Sequence, residues 1–154
     1  MARVHKSTLP AHAHLWTHHR PGDFLDCYAC DSPLGVREAA TLAMAMPGWA
    51  AALLRLRDRI IAPLGLKTAA AAPDGPHLFP LTHESEDELN FGFADRHLDF
   101  RISLLRDQGR VYMSTWVHPH NRLGRAYLAA GMPFHVLIVR GAVKRVARAA
   151  PQPA

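Results

Sequence analysis

The chain contains only two cysteines among 154 residues, and both belong to a single CxxC motif, Cys27 and Cys30. A structural zinc site needs four ligands, and no second cysteine pair is present to supply them. The surrounding residues read as a β-strand, on which side chains three positions apart point to opposite faces of the sheet. We therefore interpret the motif as two ordinary thiols, and the sequence predicts no cofactor.

Long apolar runs are also missing from the sequence. No segment approaches the roughly 20 consecutive apolar residues that a helix needs to cross a bilayer. The first 20 residues contain five histidines instead of the apolar core of a secretory signal. We therefore expect a cytoplasmic protein that does not insert into a membrane.

Acidic residues are fewer than basic ones, with 13 Asp and Glu against 18 Lys and Arg, for a net charge of +5. The basic residues are scattered over several predicted elements. Nucleic-acid binding favours a basic stripe interleaved with stacking aromatic residues. We therefore interpret the charge as a solvated surface and expect no nucleic-acid partner.

The length fits one domain with a sizeable core. Residues 1–20 are rich in His, Ala and Pro and show no clear periodicity, which predicts a flexible N-terminus. Residues 21–148 form the single predicted domain, and residues 149–154 are predicted to be a disordered tail.

The first half of the domain predicts one strand and two short helices. The strand covers residues 22–30, and the first helix begins with Ser32 as N-cap and Pro33 as its first residue. The second helix covers residues 49–63. Its buried face has the spacing of three and four residues that a helix requires, at Trp49, Leu53, Leu56 and Ile60.

The second half begins with an antiparallel meander, because apolar residues recur there at every second position. In the segment 97–105, Leu98, Phe100, Ile102 and Leu104 share one face, and His97, Asp99, Arg101 and Ser103 share the other. Residues 107–109 have the composition of a hairpin turn.

A long helix over residues 121–148 ends the domain, with Asn121 as N-cap and a kink at Pro133. One apolar stripe is predicted to face inward, at Leu123, Tyr127, Ala130, Phe134, Leu137 and Gly141. A second stripe suggests a further contact, such as the partner in a homodimer, at Val136, Val139, Val143 and Val146.

The order of elements predicts an α+β fold of the START-like helix-grip type. In this fold a curved antiparallel sheet surrounds a long C-terminal helix, with two short helices after the first strand. Antiparallel meanders need only short loops, and the turns of this chain are short.

Several motifs in order resemble the bacterial family DUF2867, a domain of unknown function in the START-like (SRPBCC) superfamily. The motifs are Pro47-x-Trp49, Leu54-Arg55-x-Arg57-Asp58, Gly65-Leu66-Lys67, Asp95-x-His97-Leu98-Asp99-Phe100-Arg101, His120-Asn121-x-x-Gly124-Arg125-x-Tyr127-Leu128 and Pro133-Phe134-His135-x-x-Ile138-Val139. The similarity covers residues 22–148. It implies a START-like fold and transfers no catalytic residue. Gly131 departs from the large residue expected there.

The leading functional hypothesis is that a small apolar or amphipathic molecule binds in a hydrophobic cavity between the sheet and the C-terminal helix. The candidate ligand-binding residues are Phe91, Phe93, Phe100, Met113, Trp116, Tyr127, Phe134 and His135.

An alternative is an enzyme of the cyclase or isomerase kind. Asp99 or His97 would act as the base, Arg101 would stabilise an anion, and Tyr127 would donate a proton. The competing interpretation of His97, Asp99 and Arg101, which share one face of the predicted strand, is an ion-pair network on the solvent face of the sheet. A further alternative is a structural or interaction module that pairs through the last helix.

Two histidines at the end of a predicted strand, His118 and His120, are weak candidates for a metal site together with His97 or His83. The spacing of known zinc motifs is missing. Side chains at helix starts satisfy free backbone donors, so the favoured interpretation is that His120 and Asn121 cap the last helix.

Overall fold

The computed structural model describes residues 4–45, 48–49, 52, 56, 59, 63, 80–94 and 98–149. The strands are β1 (His5–Lys6), β2 (Phe24–Asp31), β3 (Leu81–Glu84), β4 (Glu88–Ala94), β5 (Leu98–Asp107) and β6 (Arg110–Pro119). The helices are α1 (Val36–Ala43), α2 (Arg122–Ala149) and a short 3₁₀ helix (His14–Thr17).

The six strands form one curved antiparallel sheet in the order β1-β2-β6-β5-β4-β3. Its centre is the β5–β6 hairpin, in which Asp107 pairs with Arg110 across a two-residue turn. The turn residues Gln108 and Gly109 have φ angles of 49° and 77°. Positive φ at both positions is typical of the tight turns that match strand twist. The predicted α+β fold and the predicted hairpin turn are confirmed.

Helices α1 and α2 cover one face of the sheet, which we call the helix face. Alternate strand residues point into this layer because side chains on a strand change face at every position. The buried residues of this layer include Tyr28, Cys30, Leu89, Phe91, Leu104, Val111 and Met113 from the strands and Val36, Ala39, Ala40, Val139, Val143 and Val146 from the helices.

The N-terminal residues cover the opposite face, which we call the outer face. Leu9, Ala13 and Leu15 are buried there against Trp116 and other strand residues. The carboxylate of Glu88 accepts hydrogen bonds from the backbone N–H groups of His14 (2.7 Å) and Leu15 (3.2 Å). This packing of residues 4–20 differs from the flexible N-terminus that the composition predicts, because a few apolar side chains in the segment find a second sheet face to cover.

Helix α1 begins three residues later than the sequence predicts. Its N-cap is Gly35, whereas the hydroxyl of Ser32 accepts a hydrogen bond from the N–H of Leu34 in the preceding turn. At the other end, the guanidinium of Arg145 in α2 donates to the carbonyl oxygens of Leu42 (3.0 Å) and Ala43 (2.9 Å). These carbonyls lack partners within the helix, so Arg145 both caps α1 and joins the two helices.

The predicted second short helix falls largely outside the described residues, including Leu53 and Ile60. Residues 48, 49, 52, 56 and 59 are helical. Trp49 is 51% exposed and Leu56 is 55% exposed. The prediction that these two side chains lie on a buried face is therefore wrong.

Helix α2 confirms the predicted long C-terminal helix. The side chain of Asn121 accepts a hydrogen bond from the N–H of Gly124 at 2.9 Å, which confirms it as the N-cap. Pro133 lies inside the helix, as predicted.

The two apolar stripes of α2 have exchanged roles relative to the prediction. Val139, Val143 and Val146 are buried in the core of this chain, whereas Phe134 and Leu137 are 50% and 61% exposed. The interpretation of this stripe as a contact for a partner is therefore wrong for these three valines, whereas Val136 is half-buried. Small neighbours explain the choice, because Ala142 and Ala147 allow α2 to approach the sheet and α1 closely.

Helix α2 is also long and apolar enough, by length and composition alone, to cross a bilayer. This criterion is weak evidence, since the core helix of a globular protein meets it too. Only 17% of the most apolar 18-residue window of α2 is buried in the structure.

A substitution at Gly92 tests how closely β4 and β5 approach each other. Gly92 has φ 152°, and a Cβ atom there would lie 2.1 Å from the carbonyl oxygen of Phe100. We expect Gly92→Ala to lower the free energy of unfolding by about 2 kcal/mol or more. The control is Gly22→Ala, at φ 88° with no atom within 4 Å, which carries the backbone strain without the clash. Urea unfolding measures both variants, and equal losses would contradict the packing described here.

Candidate functional site

The row of polar residues on β5 lies on the outer face of the sheet. Asp99 pairs in register with His118, and Arg101 pairs with Trp116. Trp116 is buried in the outer-face core, so Asp99 and Arg101 also point away from α2. Their side chains form an ion pair and are only 21% and 15% exposed, respectively.

This placement separates the residues of the predicted enzyme site. Tyr127 belongs to α2, on the helix face, whereas Asp99 and Arg101 lie across the sheet from it. His97 lies outside the described residues. The hypothesis that Asp99, Arg101 and Tyr127 act together in one cavity is therefore wrong. The alternative of an ion pair on the outer face fits, except that the pair is largely covered.

Asp23 is the centre of a hydrogen-bonded group next to this row. Its carboxylate accepts hydrogen bonds from Trp116 Nε1 (2.9 Å) and the N–H of Arg20 (2.8 Å), and Oδ1 lies 2.5 Å from His118 Nδ1. Burial raises the pKa of Asp23, but the hydrogen bonds from His118 and Trp116 outweigh it, so this pKa lies below its ordinary value. The group ties the start of β2 to the end of β6.

Trp116 was a predicted ligand-binding residue in the cavity under α2, and this prediction is wrong because Trp116 belongs to the outer face. The metal candidates His118 and His120 have ring centroids 5.4 Å apart. Among the described residues, no group of three or more His, Cys, Asp or Glu side chains could hold a metal ion. Nδ1 of His118 is hydrogen-bonded to Asp23, which supports a structural role for His118 in joining β2 to β6.

Further imidazole rings continue along the outer face. The rings of His14 and His83 stack with centroids 3.6 Å apart, and His18 lies 5.8 Å from His14 and 5.3 Å from Trp116. Burial lowers the pKa of His18, and the charge of Arg101 lowers it further. Beside His14 is an open cavity of about 630 Å³, which is lined by Ala11, His12, Trp16, Thr17, His83 and Asp87 among others.

A second polar group lies on the helix face, between β2 and α2. His135 Nε2 is 2.8 Å from Asp26 Oδ2, and the ring of Phe24 makes an edge contact with His135 at 5.9 Å. Asp26 and its cross-strand neighbour Thr115 are both buried. Within the described part of the chain, Asp26 Oδ1 and Thr115 Oγ1 have no hydrogen-bond partner.

The other predicted ligand-binding residues are distributed over the helix face and the surface. Phe91 and Met113 are fully packed in the core, Phe100 and Tyr127 are half-buried, and His135 contacts Asp26. Phe134 is half exposed, and its role as a ligand contact stays a prediction. The side chain of Phe93 lies outside the described part of the structure.

Asp26 and Thr115 were not predicted as site residues, although the sequence contains a signal for Asp26. Phe24, Asp26, Tyr28 and Cys30 occupy alternate positions of one strand and share a face. Three members of this row are apolar or aromatic, so an acidic residue among them marks a position that needs a partner. Thr115 has no such signal, because threonine is common in strands.

The two cysteines behave as the sequence predicts. Cys27 lies in the outer-face core and Cys30 in the helix-face core, and both are free thiols. Burial raises the pKa of each thiol to about 11. Both therefore remain protonated at neutral pH and are poor nucleophiles.

The lowered pKa of His18 predicts a pH dependence of stability. In the unfolded chain His18 binds a proton near its ordinary pKa of 6.5, whereas in the folded protein it binds the proton only at lower pH. The stability contributed by neutral His18 should therefore be complete above the unfolded pKa and be lost as the pH falls through the folded pKa. We expect His18→Gln to reduce the loss of stability between about pH 7 and pH 5. Urea unfolding at several pH values measures this loss of stability. The exposed His5→Gln is the control, and an unchanged slope in His18→Gln would contradict the assignment.

Comparison with known proteins supports a family and no specific activity. The family model described as a protein of unknown function (DUF2867) matches residues 19–142. No curated protein and no solved structure matches the chain. The match spans strands β2 to β6 and most of α2, including both polar groups described above. The chain therefore belongs to the DUF2867 family.

Proposed function

We propose that this protein binds a small amphipathic molecule between the sheet and the first half of α2, as a START-like module would. The observation that carries the proposal is the pair of buried oxygen atoms, Asp26 Oδ1 and Thr115 Oγ1, without partners among the described residues. Buried polar atoms in folded proteins nearly always have a hydrogen-bond partner. A ligand with a hydrogen-bond donor would supply it.

The polar part of the proposed site, Asp26 and Thr115, determines which head group a ligand can have. Asp26 Oδ2 is already engaged by His135 Nε2, which leaves Oδ1 as an acceptor. Because a carboxylate oxygen only accepts, the head group must donate, as a hydroxyl or an amine does. The hydroxyl of Thr115 can donate to or accept from the same head group.

The apolar part of the proposed site is the neighbouring row of side chains on the same face of the sheet. Phe24, Val117 and Phe100 are neighbours across β2, β6 and β5, two positions along each strand from the row that contains Asp26 and Thr115. Two positions on a strand correspond to about 7 Å. An apolar chain attached to the head group would extend along this row.

The first half of helix α2 is less buried than its second half. Tyr127, Leu128 and Met132 are only half-buried there, whereas the second half of the helix is packed tightly through Val139, Val143 and other small residues. We therefore place the apolar chain of the ligand against the first half of the helix, at the end of the interface where Asp26 lies.

A matched pair of ligands and a matched pair of variants test the proposal. Decanol has a donating hydroxyl, and its methyl ether has the same chain without the donor. We expect decanol to bind more tightly by about tenfold, the value of one hydrogen bond to a charged group. Asp26→Asn should remove most of this preference, because a neutral amide has one acceptor oxygen, weaker than a carboxylate, and His135 Nε2 already engages an oxygen at this position.

Displacement of a fluorescent apolar probe measures the affinity of each protein for each ligand. The control is Asp31→Asn, which removes an equal charge from an exposed position on the opposite face of the same strand, where Asp31 contacts Arg110. The control should keep the preference of the unmodified protein. Equal binding of decanol and its ether by the unmodified protein, or no binding of either, would refute the proposal.

A further inference from the structure

Helix α2 presents an apolar surface to the outside of the molecule. This outward patch extends over residues 126–137, about 17 Å along the helix. Phe134 and Leu137 are its large members, at 50% and 61% exposed. The other exposed residues of the patch are Ala126, Ala129, Ala130 and Pro133.

Positive charges bracket the outward patch. Arg122 and Arg125 lie before it, and Arg140, Lys144 and Arg148 lie after it, all exposed. The sequence of α2 contains no acidic residue. An exposed apolar strip flanked by basic residues suits an anionic membrane interface, where apolar side chains enter the head-group boundary and basic side chains lie near the lipid phosphates.

We propose that the outward patch of α2 docks on an anionic phospholipid surface. Phe134 and Leu137 would enter the boundary between head groups and acyl chains, which removes their apolar area from water. The arginines and Lys144 would lie among the lipid phosphates, where each basic side chain adds attraction to an anionic leaflet. The helix lies on the surface and does not cross it, because its other side remains packed on the sheet.

The same charges disfavour a second copy of the chain on this patch. If two such helices paired face to face, the basic ends would meet in either orientation, since both ends of the patch are positive. Like charges across an interface oppose association. An anionic surface turns each of these contacts into an attraction.

This inference is separate from the proposed ligand site. His135, which contacts Asp26, lies on the side of α2 that faces the sheet, whereas Phe134 and Leu137 lie on the side that faces outward. Asp26→Asn should therefore bind vesicles as the unmodified protein does. The failure of one proposal leaves the other standing.

Co-sedimentation with vesicles tests the inference on the full chain. One set of vesicles contains phosphatidylcholine alone, and a second contains about one third phosphatidylserine. We expect binding to the second set, weakening as salt is added because ions screen the attraction. The double variant Phe134→Gln and Leu137→Gln should lower the apparent partition constant by about tenfold or more. Leu81→Gln is the control, since Leu81 is also exposed but lies on β3.

Charge reversal provides the second arm of the experiment. Arg140→Glu with Lys144→Glu should weaken binding strongly at low salt. Lys6→Glu with Arg106→Glu changes the net charge equally at exposed positions outside α2 and should have a much smaller effect. All substituted positions are exposed, and unchanged circular dichroism spectra would show that the variants fold.

Three results would overturn the inference. The first is absence of binding to the phosphatidylserine vesicles at low salt. The second is equal binding to both kinds of vesicle. The third is a dimer in light scattering that Phe134→Gln with Leu137→Gln converts to a monomer, because the patch would then be covered by a second copy.

Discussion

The burial of strand β6 on both of its faces is the constraint on which the rest of the structure depends. Residues 111–117 are all buried, so successive side chains enter two separate layers. A strand with this property needs a cover on each side. Helices α1 and α2 supply one cover, and the N-terminal residues, with Leu9 and Leu15 at their centre, supply the other.

This two-layer arrangement divides the polar residues of the protein into two groups that cannot act together. Asp23, His118 and the Asp99–Arg101 pair lie on the outer face, and Asp26, Thr115 and His135 lie on the helix face. Both faces contain buried polar atoms without hydrogen-bond partners among the described residues: Arg101 Nε and Ser114 Oγ on the outer face, and Asp26 Oδ1 and Thr115 Oγ1 on the helix face. The two helix-face atoms belong to cross-strand neighbours beside the less buried first half of α2, and we therefore propose ligand binding on that face.

Local patterns in the sequence were sufficient to predict which residues share a face. The alternation of Leu98, Phe100 and Ile102 with Asp99 and Arg101, the turn at residues 107–109 and the N-cap Asn121 are all confirmed. A period of two shows that residues belong together on a strand. It does not show which layer of the fold they enter, and the row of Asp99 and Arg101 proved to face away from α2.

Two further features could not be predicted from the periodicity of the sequence, because they depend on tertiary contacts. Helix α2 is apolar over most of its circumference, so either stripe could have faced the sheet, and the close approach allowed by Ala142 and Ala147 decided between them. The segment of residues 4–20 has no period, yet Leu15 is fully buried and the 3₁₀ helix is anchored by Glu88. A covering segment of this kind is held by a few side chains and is therefore difficult to detect in a sequence.

The location of a bound amphipathic molecule tests the account most directly. Nuclear Overhauser effects between decanol and the protein would report it, read at the methylene group next to the hydroxyl. We expect contacts to the Thr115 methyl group and the His135 ring protons, because Thr115 is the cross-strand neighbour of Asp26 and His135 contacts the Asp26 carboxylate. Contacts to His14 and His83 instead would place the ligand in the cavity on the outer face and contradict the account.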